Sequence, residues 1–164
     1  MHAEWIVITQ DNLKKWMATE QIIAVGTTSL RTLESAYWIG VQLVHHQQPF
    51  DNEFAVAQWT PYEFLSHQTD KNKALQAVLD YMNAKQLKEI MTKTQILIAP
   101  GYQFRMTQGL ITNFHQPQST LLLLIAALIG DSWKKVYDYA LNNNFRFLSF
   151  GDGSLLWHHQ QQQF

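Results

Sequence analysis

A wholly apolar run at residues 121–129 follows directly on the polar stretch Asn113-Phe114-His115-Gln116-Pro117-Gln118-Ser119-Thr120, which itself follows an apolar run ending at Ile111 and Thr112. The order reads as buried strand, polar loop, buried helix. It restricts the fold to the layered α/β type, in which a loop at the carboxyl end of a strand is where open sheets place ligands. The second run is too short to span a bilayer, so it is a core helix. Pro117 suits the turn, and Ser119 or Thr120 caps the helix by accepting from its free N–H groups. Capping alone accounts for both hydroxyls. Asn113 and His115 need more, because polar groups left unpaired beside an apolar helix are costly.

The same alternation recurs elsewhere. Residues 2–8 read as a strand ending in Trp5, Ile6, Val7 and Ile8, and Thr9 caps a short helix through Leu13, Trp16 and Met17. Ile22-Ile23-Ala24-Val25 is fully apolar, as in a strand covered on both faces. Gly26-Thr27-Thr28-Ser29 follows, then Leu30, Leu33, Tyr37 and Trp38 at helical spacing, with Gly40 as the expected stop. Such a turn presents N–H groups and hydroxyls at a positive helix end, which suits a carboxylate, a phosphate or a ribose hydroxyl. It equally fits a capped helix that binds nothing, and it lacks the second glycine and the lysine of a phosphate loop.

Residues 41–68 are the least regular. Phe54-Ala55-Val56-Ala57 is a strand candidate, and Thr60-Pro61-Tyr62-Glu63 starts a helix with Pro at its first position. Residues 69–85 form an amphipathic helix with Leu75, Val78, Leu79 and Met82 facing in. Strands are expected at 94–99, 107–112 and 145–150, a helix at 121–129, and another after Asp131 or Ser132. The reading is an α/β fold, a mainly parallel sheet with flanking helices, in one domain over 1–157 with a flexible tail at 158–164. Three polar loops, 26–29, 113–120 and 151–154, should meet at one end of that sheet.

Composition narrows the partners. With 46% hydrophobic and 15% charged residues the chain is globular rather than disordered. A net charge of −1 gives no general basic footprint for nucleic acid, so any RNA contact is local or shared with another part of the molecule. The absence of cysteine excludes disulfides and Cys-ligated zinc and fits a reducing cytoplasm. No signal peptide or membrane segment is expected, since Met1 is followed by His2, Ala3 and Glu4 rather than by a basic segment and an apolar run. The histidine pairs at 45–46 and 158–159 point in different directions along a strand, so no metal site is expected.

Five ordered motifs carry a resemblance. They are Met1-His2-Ala3-Glu4, Ala24-Val25-Gly26-Thr27-Thr28-Ser29-Leu30-Arg31-Thr32-Leu33-Glu34-Ser35, Pro100-Gly101-Tyr102-Gln103-Phe104, residues 110–120, and Phe145-Arg146-Phe147-Leu148-Ser149-Phe150-Gly151-Asp152. Together they resemble the S-adenosylmethionine:tRNA ribosyltransferase-isomerases of queuosine biosynthesis. The resemblance implies the carboxyl-terminal part of that family's large, barrel-like α/β domain, with an extra segment at about 41–93, in a fragment or divergent member. Where the family loop reads His-Leu-Pro-Lys-Ser, this chain has His115-Gln116-Pro117-Gln118-Ser119, and Gly153-Ser154 stands for the family's Ala-Met.

The resemblance also implies the chemistry. The family moves the ribosyl part of S-adenosylmethionine to a 7-aminomethyl-7-deazaguanine base in tRNA, giving epoxyqueuosine, with S-adenosylmethionine as substrate and no other cofactor or metal. His115, Asp152, Glu4 and His2 then become catalytic candidates, since acid–base work suits His, Asp and Glu with tuned pKa values. Gly26, Thr27, Thr28, Ser29, Arg31, Asn113, Ser119, Thr120 and Gly151 become substrate-binding candidates. Structural roles compete at several positions. Glu4 can pair with Arg31, Arg31 and Glu34 sit three apart on one helix, and Asp152 can turn onto its own backbone. The alternative reading is a non-catalytic RNA-binding or scaffold fragment. A retained S-adenosylmethionine site separates the two. The isolated chain is expected to be inactive and prone to self-association.

Overall fold

The structure, a computed structural model, describes residues 2–65 and 69–158. Met1 of the first motif and most of the expected tail lie outside these residues. His158, at the tail's start, donates its N–H to the Gln108 carbonyl at 2.8 Å.

Strand β1 (Glu4–Thr9) leads into helix α1 (Gln10–Ala18). Thr9 caps α1 reciprocally: its hydroxyl accepts from the Asn12 N–H, and the Asn12 side chain accepts from the Thr9 N–H. Strand β2 (Ile23–Val25) is followed by helix α2 (Thr27–Val44), the axis of the domain. Leu30, Leu33, Tyr37, Trp38, Ile39 and Val41 on α2 are all buried. At about 1.5–3 kcal/mol for each fully buried large side chain, this one helix carries much of the core's stabilisation.

Gly40 does not stop α2, contrary to expectation; the helix runs four residues beyond it to Val44. The reason is packing. A Cβ on Gly40 would overlap the Ala74 carbonyl and lie 2.9 Å from the Ala74 Cα, so the glycine lets helix α4 (Lys71–Ala84) approach α2 at backbone distance. The amphipathic reading of α4 holds, with Leu75, Val78, Leu79 and Met82 buried and Asp70 capping its start. The short helix α3 (Thr60–Glu63) has its Pro where expected.

Strand β3 (Glu89–Thr94) pairs antiparallel with β1, Glu4 opposite Thr94 and Val7 opposite Met91. The strand expected at 94–99 therefore ends where it was to begin. The Thr94 hydroxyl accepts from the Ile96 N–H and bends the chain, while Gln95 and Leu97 donate instead to Val56 and Gln58. The strand candidate at 54–57 reduces to a single bridge from Val56 to Thr94.

Strand β4 (Gly109–Asn113) lies between β2 and β5 (Gly153–Trp157). It runs parallel to β2 and antiparallel to β5, so the expectation of a mainly parallel sheet is wrong: the sheet is mixed. Neither sheet closes into a barrel among the described residues. Two helices connect β4 to β5, α5 (Thr120–Ile129) and α6 (Ser132–Asn142). A single crossover helix would return the chain to the start of the sheet and give a parallel strand. A helical pair brings it back to the end it left, and β5 must then run the other way. The strand expected at 145–150 is likewise absent: Leu148 has φ 67°, and Asp152 closes the segment onto Arg146 as a loop.

One face of the β2–β4–β5 sheet is covered: Ala24, Leu110 and Leu156 are buried. The other is open, and Ile23, Val25, Ile111, Leu155 and Trp157 are all exposed on it. Both faces are thus apolar, as the unbroken apolar run at 22–25 requires, but only one is packed.

Candidate functional site

Strand directions bring the three polar loops together. Val25 pairs with Ile111 in parallel, so β2 and β4 end on the same side, and Asn113 pairs with Gly153 at the start of β5. The Gly26 N–H donates to the Ile111 carbonyl at 2.8 Å, and the Asn113 side-chain amide donates to the Gly151 carbonyl at 3.2 Å. Loops 26–29, 113–120 and 151–154 therefore meet at one sheet end.

Each loop is held by its own local chemistry. Gly26 sits at φ 87°, ψ 149°, a region almost confined to glycine, and it starts α2 without a side-chain cap. The first N–H groups of α2 are therefore not occupied by a capping side chain, and they lie beside Thr27, Thr28 and Ser29. Ser119, by contrast, spends its hydroxyl on the Leu122 N–H at 3.2 Å, so it is a cap, with Thr120 the first helical residue. Gln118, just before it, adopts a left-handed backbone at φ 62°.

His115 is half-buried. Its backbone N–H donates to the Tyr137 hydroxyl at 3.1 Å, and its Nε2 lies 3.1 Å from the Thr112 hydroxyl. Burial lowers its pKa below the ordinary 6.5, so the ring is neutral at neutral pH. The folded state then binds the proton less tightly than the unfolded chain. The resulting stability is complete above about pH 6.5 and is lost as pH falls through the folded pKa. His115→Asn should flatten the loss of stability as pH falls below 6.5, read from denaturant midpoints; an unchanged slope would contradict the assignment.

Asp152 takes the structural option. Its carboxylate accepts from the Arg146 N–H at 2.7 Å and lies 3.5 Å from the Arg146 guanidinium, and these contacts hold its pKa below the usual value. The other candidates gather on α2. Glu4 and the buried Arg31 form an ion pair at 2.5 Å, and Arg31 also donates to the His2 carbonyl at 3.2 Å. Burial lowers the Arg31 pKa, and the Glu4 carboxylate opposes that. Arg31 Nε and Glu4 Oε2 are buried without a hydrogen-bond partner among the described residues. So the fold places His2 and Glu4 against α2 about one turn from its start, while His115, Asn113 and Gly151 cluster at the sheet end.

Arg31→Ala should cost about 2–4 kcal/mol, because it strands Glu4 and empties a buried site. A denaturant midpoint measures this; unchanged stability with lost ligand binding would show that Arg31 serves a ligand instead.

Arg31 and Glu34 do not pair. Glu34 is wholly buried and accepts from the N–H groups of Arg105, Met106 and Thr107, from the Thr107 hydroxyl and from the Tyr102 hydroxyl at 2.7 Å. Burial raises its pKa, and these donors pull against that rise. Tyr102 in turn accepts from the Trp38 indole at 2.7 Å. This network holds the segment that enters β4. The structural reading of Glu34 holds, but its partners at Tyr102 and Arg105 to Thr107 escaped the sequence reading, as did the bond from the His115 N–H to the Tyr137 hydroxyl. Thr112, three residues before His115, was within reach of a local-spacing argument.

Among the described residues no group of three His, Asp or Glu side chains is arranged to hold a metal, and no helix is long and apolar enough to cross a membrane.

Fold and site together define an α/β domain whose polar loops gather at the strand ends of a mixed sheet, around a neutral imidazole. The chain belongs to the queuosine biosynthesis protein family, whose sequence profile matches residues 1–156. The S-adenosylmethionine:tRNA ribosyltransferase-isomerase of Cereibacter sphaeroides is 34% identical over 161 residues, covering 95% of this chain and 34% of the relative. That of Rhizorhabdus wittichii is 38% identical over 161 residues, with the same coverages of 95% and 34%. A crystal structure of S-adenosylmethionine tRNA ribosyltransferase from Thermotoga maritima matches with a TM-score of 0.58 at 26% identity, covering 92% of this chain and 40% of that one. The chain spans about a third of the length of the curated relatives it matches.

Proposed function

We propose that this chain carries the S-adenosylmethionine site of a tRNA ribosyltransferase-isomerase, which moves the ribosyl group to 7-aminomethyl-7-deazaguanine in tRNA and forms epoxyqueuosine, with adenine and methionine as the leaving groups. The observation that carries the reading is His115, a half-buried neutral imidazole at the meeting point of three polar loops, in a chain of this family. The reaction needs a base to remove a proton from the ribose carbon beside the sulfonium, whose positive charge acidifies it. His115 is that base. Its lowered pKa leaves the ring unprotonated at neutral pH.

The uncapped start of α2, with Thr27, Thr28 and Ser29, holds the polar groups of the nucleoside or the methionine carboxylate. The unused carboxylate oxygen of Glu4 faces the positive sulfonium or a ribose hydroxyl. Asn113 and Gly151 close the loop around the reacting end, and Asp152 keeps that loop in shape. The protein works in the cytoplasm on tRNA that bears the precursor base.

The isolated chain self-associates through the open face of Ile23, Val25, Ile111, Leu155 and Trp157, because an uncovered apolar sheet face and a free β2 edge favour association. It does not turn over by itself. The test is release of adenine from S-adenosylmethionine with precursor-bearing tRNA, alongside calorimetry of S-adenosylmethionine on the same 164-residue chain. Weak S-adenosylmethionine binding without adenine release is the expected pair of results. Absence of any S-adenosylmethionine binding would overturn the site and leave the scaffold reading.

A further inference from the structure

We propose that Phe150 is a stacking platform for an unpaired nucleobase of the RNA substrate, set at the rim of the candidate site; this rests on the tRNA-modifying reading above. Phe150 is 95% exposed, more than any other large apolar side chain among the described residues. Its neighbours in the same segment do the opposite. Phe145 and Phe147 turn inward onto Phe114, with ring centroids 5.6 Å and 5.4 Å away.

The loop that presents Phe150 is fixed at several points. Asp152 accepts from the Arg146 N–H and donates its own to the Arg146 carbonyl at 2.9 Å. Leu148 donates to the Phe114 carbonyl and Gly151 to the Leu148 carbonyl, each at 2.9 Å. Gly151 lies so close to the Arg146 carbonyl that any Cβ would overlap it, and Leu148 holds a left-handed backbone. An exposed ring on a pre-ordered loop loses little conformational freedom when it binds.

Position and charge select the partner. Phe150 is one peptide unit from Gly151, whose carbonyl accepts from Asn113, and Asn113 is two residues from His115. An enzyme that does chemistry on an RNA base must take it out of the stack, which leaves adjacent bases without stacking partners. The chain has a net charge of −1, and the nearby Arg146 is already engaged by Asp152, so phosphate contacts supply little here. Stacking on a ring face needs no charge and tolerates any base.

The probe is an RNA hairpin whose unpaired loop carries 7-aminomethyl-7-deazaguanine, followed by fluorescence anisotropy at several salt concentrations. Phe150→Ala should weaken hairpin binding about 10- to 100-fold. It should leave the thermal midpoint, S-adenosylmethionine binding and the slope of log affinity against log salt unchanged. Phe150→Trp should restore hairpin affinity. The inference is overturned if Phe150→Ala binds the hairpin like wild type, if Phe150→Trp fails to restore binding, if wild type binds no hairpin, or if Phe150→Ala alters only the oligomeric state. In each of these cases retained S-adenosylmethionine binding leaves the proposed site standing, and its loss in the wild type sinks that reading separately.

Discussion

Glu34→Ala is expected to lower the stability of the domain by about 3–5 kcal/mol, measured from the urea midpoint at constant m-value. The alanine strands the N–H groups of Arg105, Met106 and Thr107 and the hydroxyls of Thr107 and Tyr102, all of which now donate to one carboxyl group. A buried donor left without an acceptor costs about 1–3 kcal/mol, and partial entry of water reduces the sum. Glu34→Gln should recover only part of the loss, because its amide nitrogen brings two more donors into a site built from donors. A drop of less than about 1 kcal/mol for the alanine variant would mean that the 102–107 segment holds its shape without this anchor.

Gly40→Ala carries the second large effect, and two principles predict opposite signs for it. Helix propensity favours alanine over glycine by about 1 kcal/mol inside a helix. Packing opposes it, since the added Cβ meets the Ala74 backbone, which cannot swing aside as a side chain would. Overpacking of this kind costs about 1–3 kcal/mol, and more where two helix backbones must part. Packing therefore wins, and the stability read from the urea midpoint should fall by about 2 kcal/mol. A more stable Gly40→Ala variant would show that α2 and α4 do not touch at this point.

What could be read in the sequence was whatever a local pattern encodes. The cap at Thr9, the proline at the start of α3, the inward face of Leu75, Val78, Leu79 and Met82, and the Ser119 cap all follow from spacing within one turn. Gly40 misled because a glycine that ends a helix and one that admits a neighbouring helix look the same in sequence. Strand direction was also hidden: apolar periodicity marks β4 and β5 as strands without saying which way they run. Phe145 and Phe147, both directed inward at alternate positions, imitate a strand although the backbone at Leu148 and the Asp152 bonds make a loop.

The site divided along the same line. The meeting of loops 26–29, 113–120 and 151–154 was legible, since each ends or begins a short apolar strand. The partners of Glu34 were not, because Tyr102 and Thr107 lie 68 and 73 residues away along the chain. Its nearest charged neighbour at helical spacing, Arg31, binds Glu4 instead.

Amide chemical-shift mapping during a titration asks whether the sheet end formed by these three loops binds S-adenosylmethionine, since it detects weak binding and locates it. Concentration-dependent shifts are expected only at Glu4 and at residues 26–31, 113–115 and 151–154, abolished in these loops by Asn113→Ala with the fold intact. Shifts that fall instead on α4 or on the open sheet face, or no shifts at saturating ligand, would contradict it.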